Sequence, residues 1–140
     1  LQTIKTLLEA GHIVLTCGGG GIPVINENGY LNGINAVIDK DNASSLLAAE
    51  LGAQRLIILT AVEKVAINFG KENQQWIDAM SVTQAEEYIR QNQFAKGSML
   101  PKVEAGIRFA KSGKGRIALI TELEKAAEGM VGKTGTIIYQ

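Results

Sequence analysis

The sequence predicts an α/β protein in which a mainly parallel sheet carries helices on both faces, a three-layer arrangement. Two observations carry the prediction. Short apolar, β-branched runs recur at residues 13–17, 36–38, 56–59 and 117–120, and the intervening segments space their apolar residues at helical intervals. No linker, repeat or low-complexity stretch divides the 140 residues, so residues 1–140 read as one domain.

Taken in order, residues 3–10 place Ile4, Leu7 and Leu8 on one face and meet Gly11, the pattern of an amphipathic helix stopped by glycine. Residues 13–17 are continuous and apolar, as expected of a strand covered on both faces. After a run of glycines and Pro23, turns around Asn28-Gly29 and Asn32-Gly33 predict an irregular hairpin. The sheet is expected to resume at 36–38. A helix over 42–51 would then turn Ala43, Leu46, Leu47 and Leu51 inward and stop at Gly52.

Residues 56–59 read as the next buried strand. Ser81 with Gln84 forms a capping-box signature for a helix reaching about Gln91. Ser98 is placed to cap a helix carrying Leu100, Val103, Ile107 and Ala110, with Pro101 tolerated in its first turn. Another apolar strand follows at 117–120. Thr121 and Glu124 then predict a helix start, Gly129 its end, and 136–139 a final edge strand.

Composition narrows the function classes. Fourteen basic residues balance fourteen acidic ones, so no whole-protein field attracts nucleic acid or an anionic membrane, and any anion site must be local. A single cysteine, Cys17, excludes an internal disulfide and a cysteine-based structural zinc site and suits a reducing, cytoplasmic setting. No apolar run approaches the length of a membrane span or a secretion signal. Leu1, not methionine, stands first, consistent with a chain that begins inside a longer protein.

Four segments carry candidate chemistry. The stretch AVIDKDNAS at 36–44 sets Lys40 between Asp39 and Asp41 where a strand gives way to a helix, a usual ligand position in layered α/β proteins; Asp39 or Asp41 would also cap that helix. Gly18, Gly19, Gly20 and Gly21 remove every side chain and let backbone N–H groups approach an anion. This is not a dinucleotide fingerprint, because Pro23 and a hairpin follow where that motif needs a helix.

Lys102 falls within the first turn of its helix, where a cation opposes the dipole unless a polyanion such as a nucleotide phosphate occupies that end. Gly132-Lys133-Thr134 invites a phosphate-loop reading. It lacks the glycine that Ala127 replaces, and a strand follows where a helix is required, so it reads as a surface turn. His12 has no second ligand at a metal spacing and Trp76 reads as cover for the core or an interface, so no metal ligands are assigned.

Read together, GGGGIPV (18–24), AVIDKD (36–41), LTAVEKVAINFGK (59–71), FAKGSMLPKVEA (94–105) and GKTGT (132–136) closely resemble carbamate kinases of the amino acid kinase family. The resemblance spans nearly the whole chain, with INFGK and GSMLPKVEA its most particular motifs. It implies a partial amino acid kinase fold and reversible phosphoryl transfer between ATP and carbamate, giving ADP and carbamoyl phosphate, with Mg2+ on the nucleotide.

By that resemblance Lys40 and Lys102 would contact the nucleotide phosphates, Asp41 would hold the lysines, and Asp39 would be a lesser contact. Gly18 to Gly21 would lie against the carbamate and the transferred group. Ala61, Val62 and Val65 would form an apolar wall for adenine and ribose. A homodimer, a cytoplasmic setting and a place in arginine metabolism are further implications.

Carbamate kinases are roughly twice this length. Their first half carries a Gly-Gly-Asn motif and a further catalytic lysine, neither of which occurs here. The chain therefore resembles the carboxy-terminal, nucleotide-binding half. The alternatives are a non-catalytic nucleotide-binding module, or a relative acting on another carboxylate substrate. A sheet cut there would also expose apolar faces and an edge prone to association.

Overall fold

A computed structural model describes residues Leu1–Gln140 throughout. The chain runs α1 (Gln2–Glu9), β1 (Val24–Glu27), β2 (Tyr30–Gly33), α2 (Lys40–Glu50), β3 (Arg55–Thr60), β4 (Val65–Ile67), β5 (Gln75–Ile77) and β6 (Ala79–Ser81). It continues through α3 (Val82–Arg90), α4 (Met99–Lys111), β7 (Ile117–Glu122), a 3₁₀ turn at Leu123–Lys125, α5 (Ala126–Met130) and β8 (Thr136–Tyr139). No helix is long and apolar enough to cross a membrane.

The main sheet has the order β3-β7-β8-β6. β3 and β7 pair in parallel from Arg55 opposite Ile117 to Thr60 opposite Glu122; β6 is parallel to β8, and only β7 and β8 run antiparallel. The sheet is thus mainly parallel, as the alternation of apolar runs predicted. β8 is an interior strand, where an edge strand was expected. Its Ile138 is fully buried between neighbours on both sides, which explains the apolar run.

One face of the sheet holds the core. Leu56 and Ile58 of β3, Ala118 and Ile120 of β7 and Ile138 of β8 alternate toward it, as period-2 strands require. α4 lies across them and buries Val103, Ile107, Phe109 and Ala110. Its Gly106 permits the close approach, because a Cβ there would stand 2.8 Å from Ile138 Cδ1. α3 opens with the predicted capping box, Ser81 and Gln84 each satisfying the other's backbone N–H. The opposite face is thinly covered by α5 alone, leaving an apolar groove of about 310 Å³ between Ile57, Leu119, Ile137 and Met130. The third layer is therefore incomplete.

Several local expectations need correction. Residues 13–17 and 36–38 form no strand, and Ile13, Leu15 and Val37 are 93%, 93% and 92% exposed. Their pattern is that of buried strands, but neither a ladder partner nor a covering layer is present to bury them. Asn28-Gly29 makes the β1–β2 turn, while Asn32 and Gly33 lie inside β2. In α2 the buried residue is Ser45, and Leu46 is exposed.

Thr121 opens no helix. It belongs to β7, fully buried, and the hydroxyl finds no partner. Gly129 lies within α5 and does not end it. Ser98 occupies the N-cap of α4 without donating or accepting a side-chain cap bond. The small antiparallel hairpin of β4 and β5 and the short strand β6 went unread in the sequence, because three-residue strands carry too little periodicity.

Candidate functional site

The segment leading into α2 sets the site. Asp39 is extended and its carboxylate accepts the Asn42 N–H at 2.9 Å, so the aspartate is spent as the helix cap. Lys40, the first helical residue, is exposed and enters no ion pair. Asp41 turns inward and pairs with Lys102 of α4, Oδ2 to Nζ, at 2.9 Å, with the two side chains 13% and 14% exposed.

One turn on, the Ser45 hydroxyl donates to the Ala105 carbonyl at 2.9 Å. Successive contacts therefore advance in the same direction along both helices, and the amino ends of α2 and α4 lie side by side. The positive ends of the two helices, Lys40 and Lys102 converge there, with Asp41 as the counter-charge that orients Lys102. This end attracts anions.

The glycine run meets the same segment. Gly20 has φ +116°, and a Cβ on it would overlap the carbonyl oxygen of Ile38. Only glycine fits so close to the entry of α2. The Gly18 N–H donates to Thr16 O at 2.8 Å and the Gly20 N–H to Cys17 O at 2.6 Å, whereas the amides of Gly19 and Gly21 have no intramolecular partner. Those two donors remain free for an anion.

Beyond the carboxyl end of β3, where ligands sit in open α/β sheets, a slot of about 250 Å³ opens. Ala61 and Val62 form part of one wall; Phe69 rises from the β4–β5 loop, and Phe94, Ser98 and Met99 close the other side. Val65 does not reach it. That residue is fully buried, with its N–H donating to Thr136 Oγ1 at 2.8 Å, and the strand alternation presents Ala66 and Lys64 to the slot instead. Ser98 and Met99 belong to both the slot and the start of α4, which joins the apolar slot to the cationic helix ends.

The surrounding framework is polar and specific. Thr136 also donates to the Ile77 carbonyl, and Thr134 donates to Glu63 Oε1, so the GKTGT turn clasps the loop after β3. Lys64 pairs with Asp78 at 2.6 Å; that hydrogen bond raises the ammonium above its ordinary range, against partial desolvation. No group of three or more His, Cys, Asp or Glu side chains is placed to hold a metal ion. Phe94, Met99 and Gln93 joined the site unannounced. Phe94 and Met99 lie within a quoted motif, but Gln93 carries no sequence signal of its own.

The amino acid kinase family profile matches residues 1–121. The chain is 63% identical over 139 residues to the "Carbamate kinase-like protein YqeA" of Escherichia coli (strain K12), covering 99% of this chain and 45% of that protein. It is 51% identical over 138 residues to "Carbamate kinase 2" of Staphylococcus aureus (strain bovine RF122 / ET3-1), covering 99% and 44%. The solved structure of "Carbamate kinase from Giardia lamblia bound to AMP-PNP" superposes with a TM-score of 0.92 at 39% identity, over 99% of this chain and 43% of that one. The chain thus spans less than half the length of the curated relatives it matches.

Proposed function

This chain belongs to the amino acid kinase family, and from that premise we propose that it supplies the ATP-binding half of a carbamate kinase-type phosphotransferase. The observation that carries the reading is the juncture of an apolar slot with two helix amino ends, Lys40, Lys102 and the free amides of Gly19 and Gly21. A nucleotide has that same division, an apolar base at one end and a polyanion at the other. The Giardia lamblia relative bound to AMP-PNP supports it.

Phosphoryl transfer asks for positioning and neutralisation more than for a strong base. Lys40, unpaired and exposed, would meet the terminal phosphates, and Lys102, held by Asp41, would neutralise charge as the phosphoryl group moves. Gly19 and Gly21 would donate to its equatorial oxygens. Asp39 acts through the helix it caps. The donors here are cations and amides, which suit phosphate oxygens; Mg2+ would arrive on the nucleotide, keep several waters and spread the phosphate charge. Carbamate or carbamoyl phosphate is the proposed co-substrate, with a homodimer, a cytoplasmic setting and arginine metabolism as the proposed context.

A second reading is a nucleotide-binding module without turnover. A kinase acting on another carboxylate is the third. Incubating the chain with ADP, Mg2+ and carbamoyl phosphate while following ATP, with nucleotide binding measured on the same samples, separates them. ATP formation lost in Lys40→Ala supports a working site within these residues; binding without turnover assigns the chemistry to residues outside this chain, and only binding without turnover after the amino-terminal half is restored favours the module; turnover only with a different acyl phosphate favours the third. A folded chain that binds no nucleotide overturns the proposal.

A further inference from the structure

We propose that Gln93 reads the edge of the nucleotide base and selects adenine over guanine, an inference that rests on the slot being the base site. Its backbone is fixed first. α3 ends with Asn92 in the left-handed region, φ +54°, and the N–H groups of Asn92 and Gln93 return to the carbonyls of Ile89 and Tyr88 at 2.9 and 3.0 Å. This closing pair of bonds pins Gln93 at the rim of the slot that it lines.

The side chain is fixed second. The backbone N–H of Asn68, in the β4–β5 loop next to Phe69, donates to Gln93 Oε1 at 2.8 Å. A backbone N–H can only donate, so the carboxamide oxygen must be the atom facing it; the usual ambiguity between amide oxygen and nitrogen disappears. Asn68 is itself anchored, its Nδ2 reaching the Asn73 carbonyl at 3.4 Å while Gly70 N–H donates to Gln74 Oε1 at 2.8 Å. The planar carboxamide then carries Nε2 on the side away from Asn68, with no protein acceptor.

What this leaves is an unspent amide donor on a residue that lines a slot walled by Phe69, Phe94, Val62 and Met99. Apolar and aromatic walls take the faces of a base, and a polar group at the rim reads its edge. Adenine offers an unprotonated N1 to such a donor. Guanine carries a hydrogen at N1, so in the same placement the two donors would oppose each other and neither would find an acceptor there, the kind of mismatch that sites discriminate most strongly.

Glutamate is nearly isosteric with glutamine and separates base reading from scaffolding. In Gln93→Glu one carboxylate oxygen still accepts from Asn68, while the other turns an acceptor toward the base, suiting the N1 and N2 hydrogens of guanine. The test is calorimetric titration of the full chain with MgADP and MgGDP, and with the 1-deaza and 7-deaza analogues of ADP, folding being followed by circular dichroism. The unsubstituted chain is expected to favour ADP over GDP at least about tenfold, to lose about tenfold with 1-deaza-ADP and to accept 7-deaza-ADP as it accepts ADP. Gln93→Glu is expected to reverse the ADP to GDP preference.

A folded Gln93→Glu chain with the original preference overturns the inference, as does 1-deaza-ADP binding as tightly as ADP. The analogue pair needs no substitution, so it decides the matter even if the variant does not fold. Failure of the unsubstituted chain to bind any of these nucleotides overturns the proposed function and this inference together; binding without base preference overturns this inference alone.

Discussion

The segment before α2 and the sheet that follows it are built from the same residue types and meet opposite fates. From β3 onward, Ile58, Val103, Phe109, Ile120 and Ile138 lie in a continuous core under α4. Between Gly11 and Lys40, Ile13, Leu15, Ile22 and Val37 remain in water. Burial follows the presence of a second layer, which residue type alone does not supply. β3 ends the sheet with its outer edge unpaired, and an apolar surface beside such an edge favours association.

The contrast is most severely tested in the core. Phe109→Ala is expected to cost about 3–5 kcal/mol, since it empties a fully buried aromatic site. Leu15→Ala should change stability by no more than about 0.5 kcal/mol. Chemical unfolding of the two variants checks this, and equal losses would break the comparison.

The next effect lies where the two regions meet. Lys102→Met leaves Asp41 largely enclosed without its partner, and we expect about 2–3 kcal/mol of destabilisation, below the range for fully buried pairs because some solvent reaches it. Adding Asp41→Asn should recover part of the loss in a double-mutant cycle. Full additivity would mean that the pair contributes nothing as a pair. Nucleotide binding should be lost in Lys102→Met in either case.

A smaller effect distinguishes two glycines within the run. Gly20→Ala forces a Cβ against the Ile38 carbonyl at φ +116° and should cost about 1–3 kcal/mol, whereas Gly19→Ala meets nothing within 4 Å at a φ open to alanine and should be neutral or stabilise by up to about 1 kcal/mol, because the unfolded chain loses glycine's freedom. Matching thermal melts would show that the run is held less firmly against α2 than the geometry implies.

The smallest effect is a pH dependence outside this contrast. Because its bond to Asp78 raises the Lys64 ammonium above the ordinary 10.5, its contribution is fully present below the unfolded lysine's pKa and fades as pH rises through the folded value. The melting difference between the unsubstituted chain and Lys64→Met should therefore hold steady from neutral to mildly alkaline pH and shrink only in strong alkali. A difference that disappeared near neutrality would contradict the assignment.

What could be read from the sequence was local. Gly11 and Gly52 stop α1 and α2, the box of Ser81 and Gln84 starts α3, Asp39 caps α2, and continuous apolar runs at 56–59 and 117–120 announce the sheet. Each works through bonds spanning a few residues, so a short window suffices. The motifs around Lys40 and Lys102 marked both as candidates in the same way, through order and spacing along the chain.

Tertiary structure decided the rest. Lys102 finds its counter-charge 61 positions away, Val65 gives its N–H to Thr136 71 positions away, and Asn68 fixes Gln93 across 25. Alternation along β4 took Val65 out of the slot, and the order of the main sheet made β8 interior. It also left strand-like residues 13–17 unpaired. The physical reason is that caps and periodicity constrain a segment's own backbone, while a partner is specified only when distant segments are brought together and their polar groups must each be satisfied.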